Sequence, residues 1–264
     1  MSARTTTDWD AERYDRLAAP QEEWGRRVLA RLQLEGGETV LDAGCGSGRV
    51  TRLLLERLPR GRVIGVDGSP SMIETAGAAF ANEDRVTLIC SDLLALTSEM
   101  LEREAGTAQV DAVFSNATFH WIADHDDLFR RQFAVLRPGG RLVAQCGGAG
   151  NVAAYVEAIR SASAESRFRE YVAGFEPWSF YGPEESEERL REAGFEQVRC
   201  WLEELDPFVP EDPREFVGTV GLASHHERLP ESLRDPFTDA VVAALHPPGE
   251  MRYVRLNIEA VRPA

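Results

Sequence analysis

Between residues 36 and 148, short apolar runs alternate with amphipathic stretches. "GETVLDAGC", "RVIGVDGS", "RVTLICSD", "VDAVFSNATFHW" and "RLVAQCGG" each read as a strand with few charges. Near-continuous apolar character is what a strand covered on both faces shows. Between them lie stretches with a 3.6-residue period. In "GRVTRLLLERLP", Leu53, Leu54 and Leu58 share one face and Pro59 stops the run. "PSMIETAGAAF" places Pro70 at a first helical turn. "DHDDLFRRQFAVLRPGG" reads as a helix stopped by Pro138 and two glycines. This alternation predicts an α/β fold, a mostly parallel sheet with helices on both faces.

The flanks follow different rhythms. "AERYDRLAAPQEEWGRRVLARLQL" predicts helix interrupted at Pro20, so residues 1–35 form an N-terminal helical lid. Residues 36–148 are the core. "SEERLREAGFEQVRCWLEEL" predicts a further core helix and strand, assigned to 191–206, and residues 249–264 a final strand. Residues 149–190 and 207–248 carry helix signals, prolines and aromatics, and are expected as helical cap insertions over the sheet edge.

Composition narrows the function. Of 264 residues, 43% are hydrophobic, enough for a sizeable core. The net charge of −15 opposes nucleic acid, whose phosphates recruit Lys and Arg. The four cysteines, Cys45, Cys90, Cys146 and Cys200, form no C-x-x-C pair, so neither zinc nor a disulfide framework is expected. No apolar run approaches the ~18 residues of a membrane span, and the first residues lack a signal-peptide pattern. A cytoplasmic protein, monomeric or a homodimer, is the expectation.

"VLDAGCGSGRV" carries the chemistry. Glycines 44, 46 and 48 follow the first strand, where parallel sheets bind ligands. Asp67 ends the second strand, suited to a ribose, and Asp92 ends the third, beside an adenine's expected place. Dinucleotide sites use G-x-G-x-x-G around a pyrophosphate. Here the spacing is G-x-G-x-G, and Asp42 would repel a phosphate and attract a cation. A nucleoside with a positively charged tail fits; a NAD-dependent dehydrogenase fits poorly.

"VLDAGCGSG", "VIGVDGSPSMI", "CSDL", "FSNATFHW" and "LRPGGRLV" together resemble the successive motifs of class I S-adenosyl-L-methionine (SAM)-dependent methyltransferases. "DWDAERYDRL", "SNATFHWIADHDDLF" and "FVGTVGL" look most like the trans-aconitate methyltransferase group. The resemblance implies a Rossmann-like sheet whose last strand is antiparallel, with SAM as cofactor and S-adenosyl-L-homocysteine as product. It implies that Gly44, Cys45, Gly46 and Gly48 surround the methionyl group near Asp42, and that Asp67 and Gly68 hold the ribose. Met72, Ser91, Asp92 and Leu93 would hold the adenine, Asn116 the amino-acid end, and Tyr14 would close the site. Cys45 is not expected as a nucleophile, since methyl transfer needs none.

The acceptor is a small molecule. A carboxylate needs no base, whereas a carbon or nitrogen acceptor usually does. His120 is the candidate base or hydrogen-bonding residue, with an orienting role as the plain alternative, and Trp121 is a candidate wall. His225, Arg252 and Tyr253 are candidates for an anionic group. His225 and its neighbour His226 can also be read as solvated helix-end residues, and Arg252 as a surface charge. O-methylation of a carboxylate, on a trans-aconitate-like or an apolar acid, is the expected function. C- or N-methylation with His120 as base, and a SAM-binding protein without catalysis, are the alternatives.

Overall fold

The computed structural model describes residues 19–247 and 249–264. Tyr14, with most of the lid's first half, lies outside the described residues. Seven strands form one sheet in the order β3-β2-β1-β4-β5-β7-β6. They are β1 (Thr39–Ala43), β2 (Arg62–Asp67), β3 (Val86–Cys90), β4 (Val110–Asn116), β5 (Leu136–Gly147), β6 (Glu196–Glu204) and β7 (Val254–Val261). β1 to β5 pair in parallel, while β7 runs antiparallel between β5 and β6. Strand order reverses between β1 and β4, so a crevice opens at their carboxyl ends.

The helices are α1 (Ala19–Arg31), α2 (Arg49–Arg57), α3 (Pro70–Ala79), α4 (Ser98–Ala105), α5 (His125–Val135), α6 (Ala153–Ser163), α7 (Pro183–Glu192) and α8 (Glu231–Ala244). Local chemistry sets their starts. Ser69 caps α3, with Pro70 in its first turn. Thr97 caps α4 and Asp124 caps α5, each accepting a bond from a backbone N–H of the first turn. Pro20 lies in the first turn of α1, where proline is tolerated, and does not interrupt the helix from Ala19 onward. α5 ends at Val135, before the Pro138 stop predicted for it, because Leu136 already pairs with Val110 at the start of β5. The predicted fourth strand stops at Asn116, and Phe119–Trp121 instead form a short 3₁₀ turn.

Two apolar clusters sandwich the sheet. Leu41, Ile64, Val113, Leu142 and Ile258 point to one face, and Val40, Val63, Ala112, Phe114 and Val143 to the other, beneath α1 and α2. This is the period-2 alternation of a covered sheet. A third cluster unites the two inserted stretches: Tyr155 and Ile159 of α6, with Phe168, pack against Phe216, Phe237 and Val241. The insertions thus share one core.

Phe237 is fully buried in that third cluster and makes an edge contact with Phe168 at 5.0 Å between ring centroids. Phe237→Ala should destabilise it by about 3–5 kcal/mol. Limited proteolysis should then cut first within 207–248, while hydrogen exchange in β1, β4 and β5 stays protected. A uniform loss of protection would show instead that cap and sheet fold as one unit.

Candidate functional site

The residues predicted around the glycine turn gather at the carboxyl end of the sheet, yet the three glycines differ. All have positive φ: 83° at Gly44, 53° at Gly46 and 89° at Gly48. A Cβ on Gly44 would overlap the side chain of Thr118, and one on Gly48 would overlap the Phe80 ring. These two are packing glycines. A Cβ on Gly46 would meet nothing within 4 Å. Gly46 is therefore the one whose bare backbone faces open space, as close approach of a ligand requires.

Asp67 organises this turn. Its Oδ2 accepts from the N–H of Gly46 and its Oδ1 from the N–H of Ser69, each at 2.9 Å. Burial raises its pKa, opposed by those backbone bonds. A carboxylate offers about four acceptor positions, so these backbone bonds leave it able to accept from a ligand hydroxyl as well. Gly68 follows it, half-buried. Met72 is buried in the first turn of α3. Ser91 is half-buried and Asp92 exposed just past β3. The Asp92 carboxylate accepts from the N–H of Leu94, so it caps its own turn as well as lining the crevice rim. Leu93 is buried in the core.

Asp42 differs from the open carboxylate the sequence suggested. It is only 2% exposed and stands behind the turn, taking a 2.7 Å bond from the Thr51 hydroxyl. Burial pushes its pKa up to about 7, against the Thr51 bond and helped by the charge of Asp67. Its carboxyl thus lies behind the turn rather than on its open side. Cys45 is also buried, its thiol pKa raised by burial, and it packs where a Cβ on Gly65 would lie. That suits an inert small side chain.

A second turn lies against the first. The Ser115 hydroxyl donates to the Ala43 carbonyl at 2.7 Å, and the Thr118 hydroxyl to that of Gly44 at 3.3 Å. Asn116 ends β4 beneath α1, its amide 3.4 Å from where a Cβ on Gly25 would stand. Ala117 has a left-handed φ of 59°. His125 donates from Nε2 to the Phe119 carbonyl and steadies the Phe119–Trp121 turn.

Beyond this turn is a cavity of about 80 Å³. His120, Trp121, Tyr155, Trp178, Phe180 and Arg255 line it, together with Trp24 of α1 and Tyr253. Trp24 and Tyr253 meet edge to face at 4.9 Å. Val152, whose φ of 45° is rare for a β-branched residue, also lines it, as do Val217, Val220 and Gly221 of a single π turn. Such backbone outliers cluster at functional sites. Among the described residues no Asp or Glu lines this cavity.

Three buried donors converge there. Arg255 is 2% exposed, its guanidinium 4.8 Å from the Trp24 ring centroid. The Tyr155 hydroxyl is buried without a hydrogen-bond partner. His120 accepts at Nδ1 from the Gly147 N–H at 3.3 Å. Its proton therefore sits on Nε2, as a donor. Burial, then the nearby Arg255, holds the His120 pKa well below the usual range, so the ring is neutral.

Other sequence expectations are corrected. Arg252 is exposed and paired with Glu250 at 2.6 Å, away from the cavity. His225 is no solvated helix-end residue: it is fully buried, edge-on to Phe175 at 5.0 Å, and belongs to a different cavity. His226 meets the Thr238 hydroxyl at 3.0 Å. Arg255 was missed. The signal was an arginine inside "VRLNIEAV", on a strand enclosed by β5 and β6. A buried cation there needs a reason.

Comparison with known proteins settles the family. A family model for a methyltransferase domain matches residues 40–140. An uncharacterized methyltransferase of Schizosaccharomyces pombe is 30% identical over 223 residues, 83% of this chain and 82% of that protein. The chain belongs to the class I SAM-dependent methyltransferases. The trans-aconitate 2-methyltransferase of Azoarcus sp. is 39% identical over 137 residues, covering 52% of this chain. That match spans 50% of the Azoarcus enzyme, so the chain matches about half the length of such relatives. Among solved structures, the phosphoethanolamine N-methyltransferase 2 of Haemonchus contortus in complex with S-adenosyl-L-methionine is similar. Its TM-score is 0.61 at 20% identity, over 96% of this chain and 57% of that one. The [4+2]-cyclase SpnF is also similar, at TM-score 0.56 and 17% identity. Such likeness speaks to the fold, which does not by itself fix the reaction. No helix among the described residues is long and apolar enough to cross a membrane.

The glycine contrast is measurable. Gly44→Ala combines a left-handed φ with the Thr118 overlap and should lower stability by at least about 2 kcal/mol in urea denaturation. Gly46→Ala meets no neighbour and should lower it by only about 1 kcal/mol. Equal losses would remove the distinction.

Asp42 gives a pH prediction. Its folded pKa, about 7, lies above the unfolded value of about 3.9. The stability this group contributes is complete below pH 4 and is lost as pH rises through 7. Asp42→Asn, which keeps an acceptor for Thr51, should match the parent at pH 4 and be more stable by a few kcal/mol at pH 8. A difference independent of pH would contradict the buried, raised carboxyl.

Proposed function

We propose that the protein transfers a methyl group from SAM to the carboxylate of a small, largely apolar acid. The observation that carries this reading is the cavity into which Arg255, Tyr155 and His120 bring donors and whose lining, among the described residues, holds no Asp or Glu. An anion completes such a set, and arginine suits a carboxylate in particular. Aromatic walls favour an apolar remainder. Among the described residues a single arginine lines the cavity, so the second and third carboxylates of a tricarboxylate would lack a cationic partner there. The reading therefore leans to an apolar acid within a family that includes trans-aconitate methyltransferases.

The cofactor side fits SAM. Gly46 offers bare backbone, Asp67 a carboxylate that can accept from a ribose hydroxyl, and Asp42 a carboxyl behind the turn that a cation would ionise. Gly44, Gly48 and Cys45 would shape the turn, Asn116 would face the amino-acid end, and Gly68, Met72, Ser91, Asp92 and Leu93 would frame the adenine. When bound, SAM supplies an electrophilic methyl group on a sulfonium.

The chain's own residues do the rest. Arg255 holds the acceptor carboxylate, and the Tyr155 hydroxyl and His120 Nε2–H orient its oxygens. A carboxylate is nucleophilic at neutral pH, so no residue removes a proton. Trp24, on α1, and Tyr253 cover the cavity and exclude water, which favours an in-line displacement. C- or N-methylation with His120 as base is disfavoured, because the basic nitrogen Nδ1 already faces the Gly147 N–H.

The tests separate these roles. His120→Gln keeps a donor and should lower kcat/KM less than about tenfold, under ~1.4 kcal/mol. Loss of a general base would lower it about 10²–10⁴-fold. Arg255→Leu should lower kcat/KM for apolar acids by about 10- to 150-fold while SAM binding, followed by calorimetry, is retained. Full activity of a folded Arg255→Leu variant would overturn the carboxylate assignment. Asp67→Ala should weaken SAM binding by about 2 kcal/mol or more, since bonds to a charged acceptor contribute about 1.5–3 kcal/mol each.

A further inference from the structure

The 80 Å³ cavity is small. At about 30 Å³ per water-sized group it takes a carboxyl group and little more. A longer acid needs more room than this. Behind one wall of this cavity is a second cavity of about 360 Å³, between α6 and residues 172–180. Trp178 and Phe180 line both. Their rings stack 5.8 Å apart at 12°, and Phe180 stacks on His120 at 5.8 Å. Ser179, between them, donates its N–H to the His120 carbonyl at 2.8 Å. The partition is thus tied to the turn that carries His120.

The larger cavity has apolar walls, including Val156, Ile159 and Val172, and two buried polar groups. The Ser163 hydroxyl is buried without a hydrogen-bond partner. His225 has no exposure, and neither ring nitrogen makes a hydrogen bond; the Phe175 backbone faces the ring outside bonding geometry. Leaving a buried polar group unmatched is destabilising, because its hydration is lost and nothing replaces it. Two such groups on one cavity indicate that something else satisfies them. Both are neutral, because burial lowers the His225 pKa to about 4. At the same cavity Arg160 and Glu176 pair with each other at 2.7 Å.

We propose that this cavity is a distal subsite of the acceptor site, which receives the apolar body of the acid past Trp178 and Phe180 and hydrogen-bonds a hydroxyl or carbonyl at its far end through Ser163 and His225. The inference rests on the carboxylate reading above. At about 30 Å³ per group, the cavity suits a body of roughly ten to twelve non-hydrogen atoms.

The test uses the whole chain with hexanoic, dodecanoic and 12-hydroxydodecanoic acids. Binding is read by calorimetry in the presence of S-adenosyl-L-homocysteine, and turnover by methyl ester formation from labelled SAM. Dodecanoic acid should bind at least tenfold more tightly than hexanoic acid, and its hydroxylated form more tightly still. Ser163→Phe fills the cavity and should cancel the length preference, weakening dodecanoic acid far more than hexanoic acid. His225→Phe keeps the ring packing and should cancel only the preference for the hydroxyl. Circular dichroism checks that both variants fold; if Ser163→Phe does not, Ile159→Phe takes its place. No length preference, no binding of the long acids, or a folded filling variant without effect would overturn the subsite. Hexanoic and dodecanoic acids methylated at equal kcat/KM would sink the subsite and leave the carboxylate reading intact. Long acids bound with the expected preference but never methylated would sink that reading and keep the cavity as a ligand site.

Discussion

The site depends on one contact: the side chain of Thr118 occupies the space that a Cβ on Gly44 would need. The glycine's left-handed backbone lets the turn after β1 and the turn after β4 interlock. The Thr118 hydroxyl then closes the join on the Gly44 carbonyl. One turn carries the groups suited to a nucleoside cofactor, and the other leads to the acceptor cavity. In-line transfer needs two ligands held in fixed mutual geometry. A steric interlock between adjacent strand ends supplies that geometry with little freedom for it to drift.

Charge is distributed with the same economy. Burial opposes ionisation of both Asp42 and Asp67, and the charge of Asp67 adds to the opposition at Asp42. The free protein therefore stores destabilisation at this turn, and a cationic ligand relieves it. The acceptor cavity has the opposite sign. Arg255 brings a positive charge there, and burial, then the charge of Arg255, keeps the nearby His120 neutral. On the proposed reading, cofactor and acceptor meet complementary charges on either side of one interlock.

The parts legible in the sequence were those set by local rules. Alternating apolar runs located all of the strands and the parallel core, and the glycine triplet with Asp67 and Asp92 marked the strand ends. Boundaries failed where tertiary pairing overrode local signals, as when Leu136 joined β5 before Pro138 could stop the helix. The acceptor side was poorly legible because it is assembled from distant segments. Tyr155, Trp178 and Arg255 have no common motif: the first two lie in the 149–190 insertion and Arg255 on β7, and only the fold brings them together. Arg252 was a candidate and Arg255 was not, yet Arg252 lies before β7, exposed and paired with Glu250, while Arg255 lies within β7 and lines the cavity. His225 read as a solvated residue because nothing local reveals that Phe175, Trp178 and Phe237 enclose it.

The central claim is that the transferred methyl ends on a carboxylate oxygen. The most direct measurement is the alkali stability of the product. The protein would be incubated with methyl-labelled SAM and a mixture of apolar acids, phenols and amines, and the labelled product treated with dilute alkali. A methyl ester releases its label as volatile methanol, whereas methyl ethers, methylamines and C-methyl groups keep it. The account predicts that nearly all the label is released. Label that remains on the product would contradict it.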